Sequence, residues 1–410
     1  MNLEILNSSQ HSALTRRLDR DPSVDGIQGP AGTGKTQVAS YESCIAAYDS
    51  GERVLITALQ NAAVDQILEK IIDIARKAGK PNERILRDIK RTGNLSDVNP
   101  LLTGHCCISP NELSSAVIVG TTLYSAFVPT GRRVLQQGSF DRIIIDESGQ
   151  ITPEQGWQVL RLIRNSDSAT ITAYGDDIQL TPISHDFVPE RSILRRMRAR
   201  NRQLMLLDTT YRLNSPGVKM TSEIFYRGRL QAPQEVMDRK LSLKKNPSGL
   251  LHEAIDPANT LVYTQVPGKE TESGWSFDNH NQARVVSDLC HEFIRLGADP
   301  SKISVIAAYS PHIKTINILL EGTRVQCKTV HKMLGSENDI VIFATTRSNP
   351  TRDLGFVTQP EILNVATSRQ LRKLIVVGDD AETFSEGSPT SRKMFDFIAS
   401  KASMLSFDGY

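Results

Sequence analysis

The sequence lacks the features that mark membrane and secreted proteins. No apolar run approaches the roughly 18 residues that a membrane helix needs. The first ten residues, MNLEILNSSQ, carry neither a basic flank nor the apolar centre of a secretory signal. The five cysteines are odd in number and include no CxxC pair. We therefore expect a soluble intracellular protein, cytoplasmic or nuclear, without a membrane partner.

A strong charge of one sign is also missing. The 48 basic and 46 acidic residues nearly cancel, which excludes a strongly basic nucleic-acid coat but leaves room for a local basic groove. The chain has no low-complexity tract, and nothing repeats at a period of 20–50 residues, so a solenoid or propeller is excluded. A length of 410 residues predicts two or three globular domains.

Two local clusters have competing interpretations. His105, Cys106 and Cys107 resemble metal ligands, but adjacent side chains rarely converge on one ion and no second cluster lies nearby, so we expect an ordinary loop. Residues 191–202 hold six arginines and no acid. This arginine segment is either a solvated helix face or a helix that faces phosphates.

Short β-branched runs alternate with amphipathic stretches, a pattern that predicts parallel sheets covered by helices. The main predicted strands are Val54–Ala58, Ala116–Val119, Arg142–Ile145, Thr170–Tyr174, Thr260–Tyr263, Ile303–Ala307, Asp339–Ala344 and Lys373–Val377. Helical spacing predicts helices over Ala62–Ala78 and Asn281–Leu296. Four strands precede the arginine segment and four follow it, so we predict two α/β domains, residues 1–208 and 209–410. Residues 231–260 are polar and broken by prolines, which indicates a surface connection.

The strongest motif is GPAGTGKT at residues 29–36, which matches GxxxxGK[ST]. Its glycines and backbone N–H groups predict a phosphate cradle. The cradle residues are Gly29, Gly32, Thr33 and Gly34. Lys35 would reach the β- and γ-phosphates of a nucleotide, and the Thr36 hydroxyl would bind Mg²⁺. A short strand over Val24–Gln28 and a helix over Gln37–Ala47 are predicted on either side.

Two acids complete this pattern. The apolar run RIII ends at Asp146 and Glu147. A strand end would direct Asp146 toward the Mg²⁺ shell and leave Glu147 to take a proton from the attacking water. After the next predicted strand, Gln179 can hydrogen-bond both that water and the γ-phosphate.

The order of the motifs resembles superfamily 1B helicases of the up-frameshift/senataxin-like branch. The matching segments are LNSSQ at 6–10, the phosphate loop, VLITALQNAAVD at 54–65, DESGQ at 146–150, GDDIQL at 175–180, TYR at 210–212, FYRGRL at 225–230, TVHKMLGSEND at 329–339, LGF at 354–356 and LNVATSR at 363–369. They span nearly the whole chain in one unbroken order. The resemblance implies two tandem RecA-like domains with an ATP site in the cleft between them.

Further roles are implied by this resemblance alone. Gln10 would hydrogen-bond the adenine edge, Tyr211 would stack on its face, and Glu337 would hold the ribose. Arg212 and Arg369 would reach the γ-phosphate, where arginine supplies a planar, permanently charged donor. The loops at the sheet ends would contact single-stranded RNA or DNA, with small polar groups on phosphate and sugar and a tyrosine stacking on a base. The residues expected there are Asn61, Thr121, Thr122, Tyr309, Thr329 and His331.

The sequence also departs from the family pattern. Leu334 replaces a glutamine, Gln359-Pro360-Glu361 replaces an arginine-rich stretch, and Ser368 and Gln370 replace threonine and alanine. Relatives carry two insertions in the first domain, whereas about 45 residues separate Ile72 from Val117 here, and fewer than about 20 separate Thr122 from Asp141.

We therefore predict an ATP- and Mg²⁺-dependent helicase or translocase that moves 5′ to 3′ on single-stranded RNA or DNA. The shortened insertions favour an alternative, a nucleic-acid-stimulated ATPase that clamps or remodels nucleoprotein without unwinding. A third interpretation is a scaffold that binds ATP, against which the retained catalytic residues argue.

Overall fold

A computed structural model describes residues 1–18, 23–88, 100–107, 110–127, 135, 137–165, 167–182, 191–266, 268–380, 383, 386–401 and 403–406. The chain divides into two compact units. The first consists of Met1–Asp177 and Thr181–Asp208, and the second of Ile178–Leu180 and Thr209–Tyr410. The predicted boundary after residue 208 puts Ile178–Leu180 in the first domain, whereas this tripeptide lies in the second unit.

The first unit is built on an eight-stranded sheet whose pairings are all parallel. Its strands are β1 (Ser23–Gln28), β2 (Val54–Ala58), β3 (Ile85–Asp88), β4 (Cys106–Cys107), β5 (Ile118–Thr122), β6 (Arg142–Ile145), β7 (Thr170–Gly175) and β8 (Met205–Leu206). They lie in the order β4-β3-β5-β2-β6-β7-β1-β8. The phosphate-loop strand β1 therefore lies beside β7, and the acid-bearing strand β6 is one place further away.

Most helices of the first unit follow a strand, in the manner of crossover connections. They are α1 (Ser8–Leu18), α2 (Lys35–Tyr48), α3 (Asn61–Lys77), α4 (Pro110–Ser115), α5 (Leu123–Phe127), α6 (Pro153–Val159) and α7 (Ile193–Ala199). Short 3₁₀ turns cover Pro100–His105, Ser148–Gln150 and Leu160–Leu162. The central strands are buried along their whole length, as expected for strands covered on both faces.

The second unit contains a six-stranded parallel sheet and a separate antiparallel hairpin. Its strands are β9 (Leu261–Gln265), the hairpin strands β10 (Thr271–Ser273) and β11 (Ser276–Asp278), β12 (Ile303–Ala307), β13 (Gln326–Thr329), β14 (Asn338–Ala344), β15 (Gln370–Gly378) and β16 (Ser403–Ser406). The sheet order is β13-β12-β14-β15-β9-β16.

The helices of this unit are α8 (Ser215–Phe225), α9 (Gln234–Met237), α10 (His252–Ile255), α11 (His280–Arg295), α12 (Ser310–Leu319), α13 (Pro360–Ala366) and α14 (Pro389–Lys401). Three 3₁₀ turns cover Pro300–Lys302, Val330–Met333 and Gly355–Thr358. The predicted α/β class with two parallel sheets is confirmed. None of the helices in the described part of the chain combines the length and the apolar composition of a membrane span.

Three predictions about elements were wrong. The strand predicted at Ala116–Val119 is displaced to Ile118–Thr122, because its register against β2 continues to the pair Ala58 and Thr122. The residues 231–260 are not merely a surface connection, since short helices there bury Val236 and Ile255 in the second unit. Cys106–Cys107 is a short edge strand rather than a loop, because it pairs with β3.

Candidate active site

The phosphate loop joins the end of β1 to the first turn of α2. Gly34 precedes the helix with φ of 80°, and a Cβ atom added there would lie 2.5 Å from Nε2 of Gln10, so this position requires glycine. The Thr33 hydroxyl donates to the Pro30 carbonyl over 2.8 Å, and the Lys35 ammonium donates to the Gly29 carbonyl over 2.8 Å. Hydrogen bonds within the loop thus stabilise its conformation, and the loop leads into the N-terminus of a 14-residue helix.

Gln10 is held against this loop. Its Nε2 donates to the Thr33 carbonyl over 2.9 Å, and its Oε1 accepts from the backbone N–H of Asn7 over 3.1 Å. The side chain is buried. An amide nitrogen carries two hydrogens, so Gln10 retains one donor beyond the bond to the loop. Gln10, for which the resemblance implies a contact with adenine, therefore lies next to the phosphate loop.

Asp146 and Glu147 follow β6 at the same end of the sheet. Asp146 is buried, and its Oδ1 accepts the backbone N–H of Glu147 over 2.9 Å. Burial and the Glu147 carboxylate raise the pKa of Asp146 to about 7, whereas Lys35 acts in the opposite direction. Burial disfavours the ionised form of this carboxylate, and a nearby cation would stabilise that form. Its carboxylate and the Thr36 hydroxyl are the oxygen ligands that suit Mg²⁺.

The backbone at Glu147 is left-handed, with φ of 49° and ψ of 36°. Non-glycine residues seldom adopt this conformation, and such strain tends to occur at functional sites. It is held by the turn Ser148–Gln150, in which the Ser148 hydroxyl donates to the Tyr174 carbonyl over 2.7 Å. A Cβ atom at Gly149 would lie 2.5 Å from the Asp176 carbonyl oxygen, so the turn fits closely against the end of β7.

A buried charge cluster that no local sequence pattern indicates connects α2 to the sheet. Glu42 on α2 is fully buried and accepts from Arg142 of β6 over 2.7 Å, from the Thr172 hydroxyl over 2.7 Å and from the Tyr174 hydroxyl over 2.7 Å. Arg17 of α1 lies 3.7 Å from the same carboxylate. The cluster joins the helix that begins with Lys35 to the strand that ends before Asp146. Its members lie about 100 residues or more apart in most pairs, so no local pattern shows them.

The arginine segment contains α7, whose side chains are partly bonded and partly buried. Arg195 donates to the Asp177 carbonyl over 2.9 Å, and Arg198 forms an ion pair with the Asp177 carboxylate at 2.6 Å. Leu194 and Met197 of the same helix are buried. The helical part of the segment, α7, therefore packs on the first unit through its apolar residues, and Arg195 and Arg198 are bonded to Asp177 in the loop after β7.

In the second unit, Gln179 and the two predicted arginines form hydrogen bonds. Arg369 is buried, and its guanidinium donates to Oε1 of Gln179 over 3.0 Å and to the Val365 carbonyl. Arg212 forms an ion pair with Glu337 at 2.6 Å and donates to the Ser368 carbonyl over 3.2 Å. The resemblance implies separate roles for Arg212 and Glu337, on phosphate and ribose, whereas here the two side chains are bonded to each other. The Tyr211 ring is 39% exposed.

The six predicted nucleic-acid residues lie at the carboxyl ends of neighbouring parallel strands. Asn61 begins α3 directly beyond β2, and Thr121 and Thr122 end β5, which pairs with β2. In the second unit, Thr329 ends β13 and pairs with Ala307 of β12. Tyr309 follows β12, and His331 follows β13.

Burial separates these candidates. Asn61 and His331 are exposed and Thr329 is half-buried, whereas Thr122 is buried. The Thr121 hydroxyl is buried and donates to Asp88 over 2.9 Å. The prediction that both threonines lie in a loop is therefore wrong, because β5 extends through Thr122.

Tyr309 also differs from the expectation of a stacking residue. Its ring is 5% exposed and packs against Phe277 and Phe356, with ring centroids 5.4 and 4.8 Å away. Its hydroxyl lies 3.4 Å from Arg347, whose guanidinium also covers the Phe277 ring. The tyrosine is a core residue in this structure, so stacking on a base would require it to leave this cluster.

Arg87 is a further residue of the candidate site that no sequence pattern indicates. It is buried, bonds the Asp65 carboxylate at 2.6 Å and donates to Oδ1 of Asn61 over 2.7 Å. Because the amide oxygen of Asn61 accepts from arginine, its amino group is left as the donor for another acceptor. Arg87 thereby fixes which end of the Asn61 amide faces outward.

Comparison with known proteins identifies the class. Two family models described as AAA domain match, one over residues 5–244 and the other over residues 189–381. The chain belongs to this AAA domain family, and the predicted resemblance to superfamily 1B helicases of the up-frameshift/senataxin-like branch is confirmed.

In the part of the chain that the structure describes, no group of three or more His, Cys, Asp or Glu side chains could hold a metal ion.

Three curated relatives illustrate the similarity. The DNA polymerase alpha-associated DNA helicase A of Schizosaccharomyces pombe is 26% identical over 98% of this chain and 68% of its own length. The Regulator of nonsense transcripts 1 homolog of Drosophila melanogaster is 27% identical over 92% of this chain and 35% of its own length. The human DNA replication ATP-dependent helicase/nuclease DNA2 is 28% identical over 92% and 37%. The chain thus spans little more than a third of the length of the last two.

Proposed function

We propose that this chain is an ATP-dependent helicase or translocase that acts on single-stranded RNA or DNA and moves 5′ to 3′. The observation that carries the proposal is the arrangement of Lys35, Thr36, Asp146 and Glu147 at the carboxyl edge of one parallel sheet. In open α/β sheets, ligands bind at this edge. Helicase relatives that cover nearly the whole chain support it.

The proposed chemistry assigns a separate task to each residue. Lys35 and the loop N–H groups bind the β- and γ-phosphates, and Thr36 and Asp146 would hold Mg²⁺, which when bound neutralises charge on the phosphates. Glu147 orients the attacking water and accepts its proton. Gln179, Arg212 and Arg369 are proposed to bond the γ-phosphate or the water, while Gln10, Tyr211 and Glu337 contact the nucleoside.

The second candidate is an ATPase that clamps or remodels nucleoprotein without unwinding duplex. The short stretch between α3 and β5 favours it, because the family resemblance implies an accessory insertion in this part of the first domain. This stretch lies partly outside the described residues. Both candidates predict hydrolysis stimulated by nucleic acid, so they differ in duplex unwinding alone.

One set of assays tests these functions. ATP hydrolysis is measured without nucleic acid and with matched single-stranded RNA and DNA, and unwinding with forked duplexes that carry a 5′ or a 3′ tail. We expect stimulation by at least one strand type and unwinding from the 5′ tail. Stimulation without unwinding would favour the clamp. Nucleotide binding without any hydrolysis would favour the scaffold, and the Lys35→Ala variant, which should not bind ATP, is the control.

A further inference from the structure

A cavity of about 190 Å³ opens on the first unit, where α6 and α7 both line it. Val24, Ile171 and Ala173 on the neighbouring strands β1 and β7 line it. Trp157 of α6 and Ile193 of α7 also line it. An engineered cavity of about 150 Å³ in another protein holds benzene. The cavity is therefore large enough for one aromatic or branched aliphatic side chain.

The apolar surface at the cavity is open to solvent. The Trp157 side chain is 61% exposed and Val24 is 40% exposed. Val24 lies near the start of β1, whereas β8 pairs only with Ile27 and Gln28 at the other end of that strand. Large apolar side chains that are exposed around a concave, apolar site are typical of binding surfaces.

The rim of the cavity is basic. Arg196, Arg200 and Arg202 line it, and Arg202 donates to the Val24 carbonyl over 3.3 Å. Arg198 is bonded to Asp177, but in the described part of the chain no ion pair involves Arg200 or Arg202, and both are exposed. The end of the arginine segment thus places two positive charges beside an apolar cavity.

We propose that this cavity binds a short segment of a partner protein in which one large apolar side chain is flanked by Asp or Glu. The apolar side chain would fill the cavity, and the carboxylates would pair with Arg200 and Arg202. Tryptophan and arginine are the residues that most often dominate protein interfaces, and complementary charge gives such an interface its specificity. A nucleic-acid backbone would satisfy the arginines but would leave the apolar lining in water.

The two tryptophans of the chain allow a direct test. Trp157 lines the cavity, whereas Trp275 is fully exposed in the turn of the β10–β11 hairpin of the other unit. Protein labelled with ¹⁵N-tryptophan shows one indole N–H resonance from each, and Trp157→Phe assigns them. Five peptides, acetyl-Glu-Asp-X-Asp-Glu-amide with X as Leu, Ile, Met, Phe or Trp, are titrated. At least one should shift the Trp157 signal saturably, with a Kd below about 1 mM, and leave Trp275 unchanged.

Matched controls separate the apolar and the charged contributions. Replacing X by Ala, or the acids by Asn and Gln, should weaken binding at least about tenfold. The variant R200E/R202E should do the same, while R76E/K77E on α3, with the same change of net charge, should not. Melting temperatures of both variants establish that they are folded.

Three results would overturn the proposal. The first is that none of the five peptides shifts the Trp157 resonance. The second is that the uncharged peptide binds with the same affinity. The third is that an oligothymidylate of the same charge shifts the Trp157 resonance with the same affinity. The last result would make the cavity a nucleic-acid contact. ATP hydrolysis by R200E/R202E should equal that of the wild type. Failure of the proposed binding site can therefore be distinguished from failure of the proposed catalytic activity.

Discussion

At the scale of the single residue, the left-handed backbone of Glu147 sets the direction of the carboxylate that we propose as general base. Glu147→Gln preserves the shape and one hydrogen-bond acceptor but cannot accept a proton. We expect ATP binding to persist while single-turnover hydrolysis falls by roughly 10²–10⁴-fold. Calorimetry measures the binding and rapid quench measures the hydrolysis. Glu154→Gln on the exposed side of α6 is the matched control and should hydrolyse ATP normally. Hydrolysis within a few-fold of wild type in Glu147→Gln would place the base elsewhere.

Arg369 offers a second test at this scale, because it is buried and bonded to Gln179. If Arg369 stabilises charge on the γ-phosphate, Arg369→Ala should lower hydrolysis by about 10³–10⁵-fold with nucleotide binding nearly intact. If it only fixes the loop, activity should fall modestly and in step with the melting temperature.

The neighbouring Arg372 supplies the control for this test. It is partly exposed and pairs with Asp339 at 3.2 Å. Arg372→Ala should therefore leave hydrolysis close to the wild-type rate. An Arg369→Ala variant that keeps both its melting temperature and its activity would remove Arg369 from the catalytic set.

At the scale of the element, α2 depends on the buried carboxylate of Glu42. Glu42→Gln keeps the side-chain shape but leaves Arg142 without its fully buried charge partner. Breaking a buried ion pair costs about 3–5 kcal/mol. We expect the free energy of unfolding to fall by this order, and ATP affinity to fall with it because the helix that begins with Lys35 loses its anchor.

The matched control is Glu52→Gln. Glu52 bonds the same Arg142 guanidinium at 2.6 Å but is partly exposed and lies outside α2. It should cost less stability and should not change the Kd for ATP. Urea denaturation and calorimetry measure the two quantities, and equal effects of both variants on ATP affinity would contradict the role given to Glu42.

Strand β15 carries a buried lysine that makes stability depend on pH. Burial lowers the pKa of Lys373 from 10.5 to about 7, with its ammonium bonded to the carbonyls of Asp256 and Asn259. Between pH 7 and 10 the unfolded chain binds more protons than the folded one at this residue. Its contribution to stability therefore rises with pH, by up to about 1.4 kcal/mol per pH unit.

The variant Lys373→Met isolates this contribution from other groups that titrate in the same range. The difference in unfolding free energy between wild type and variant should shift in favour of the wild type between pH 7 and pH 9. Urea denaturation at pH 7, 8 and 9 measures it. A difference that is constant across these three pH values would show that Lys373 does not titrate in this window.

The elements also show what the sequence could and could not predict. Strands with continuous β-branched runs, such as Val54–Ala58 and Ile303–Ala307, were predicted with their observed bounds, since buried parallel strands carry that signal themselves. Edge strands such as Gln326–Thr329 and Met205–Leu206 were missed, because they are short and exist through pairing with a distant neighbour.

In the candidate site, too, local motifs were predictable from the sequence and contacts between distant residues were not. The motifs predicted which residues follow β1 and β6, because spacing along one strand and one loop is local information. The contacts of Glu42, the bond between Arg87 and Asn61 and the burial of Tyr309 all depend on side chains from distant parts of the chain. Whether a predicted residue is exposed or already bonded is therefore the part that sequence alone could not give.

At the scale of the whole molecule, no single position in the sequence separates the two units. Leu180 lies in the first half of the sequence but is buried in an apolar cluster with Leu213 and Val341 of the second unit. Leu207, close to the boundary at Asp208, is buried in a cluster of the first unit. Each unit thus has its own core, and the tripeptide Ile178–Leu180 contributes to the second.

This division predicts where a cavity mutation should act. Leu180→Ala should cost about 2–5 kcal/mol, the usual range for a buried leucine. Because Leu180 packs in the second unit, hydrogen exchange should accelerate in β9, β14 and β15 while β2 and β6 keep their protection. Leu207→Ala is the matched control and should accelerate exchange in the first unit instead. If Leu180→Ala loosened β2 and β6 more than β14 and β15, the tripeptide would belong to the core of the first unit, and Gln179 would have to be reassigned with it.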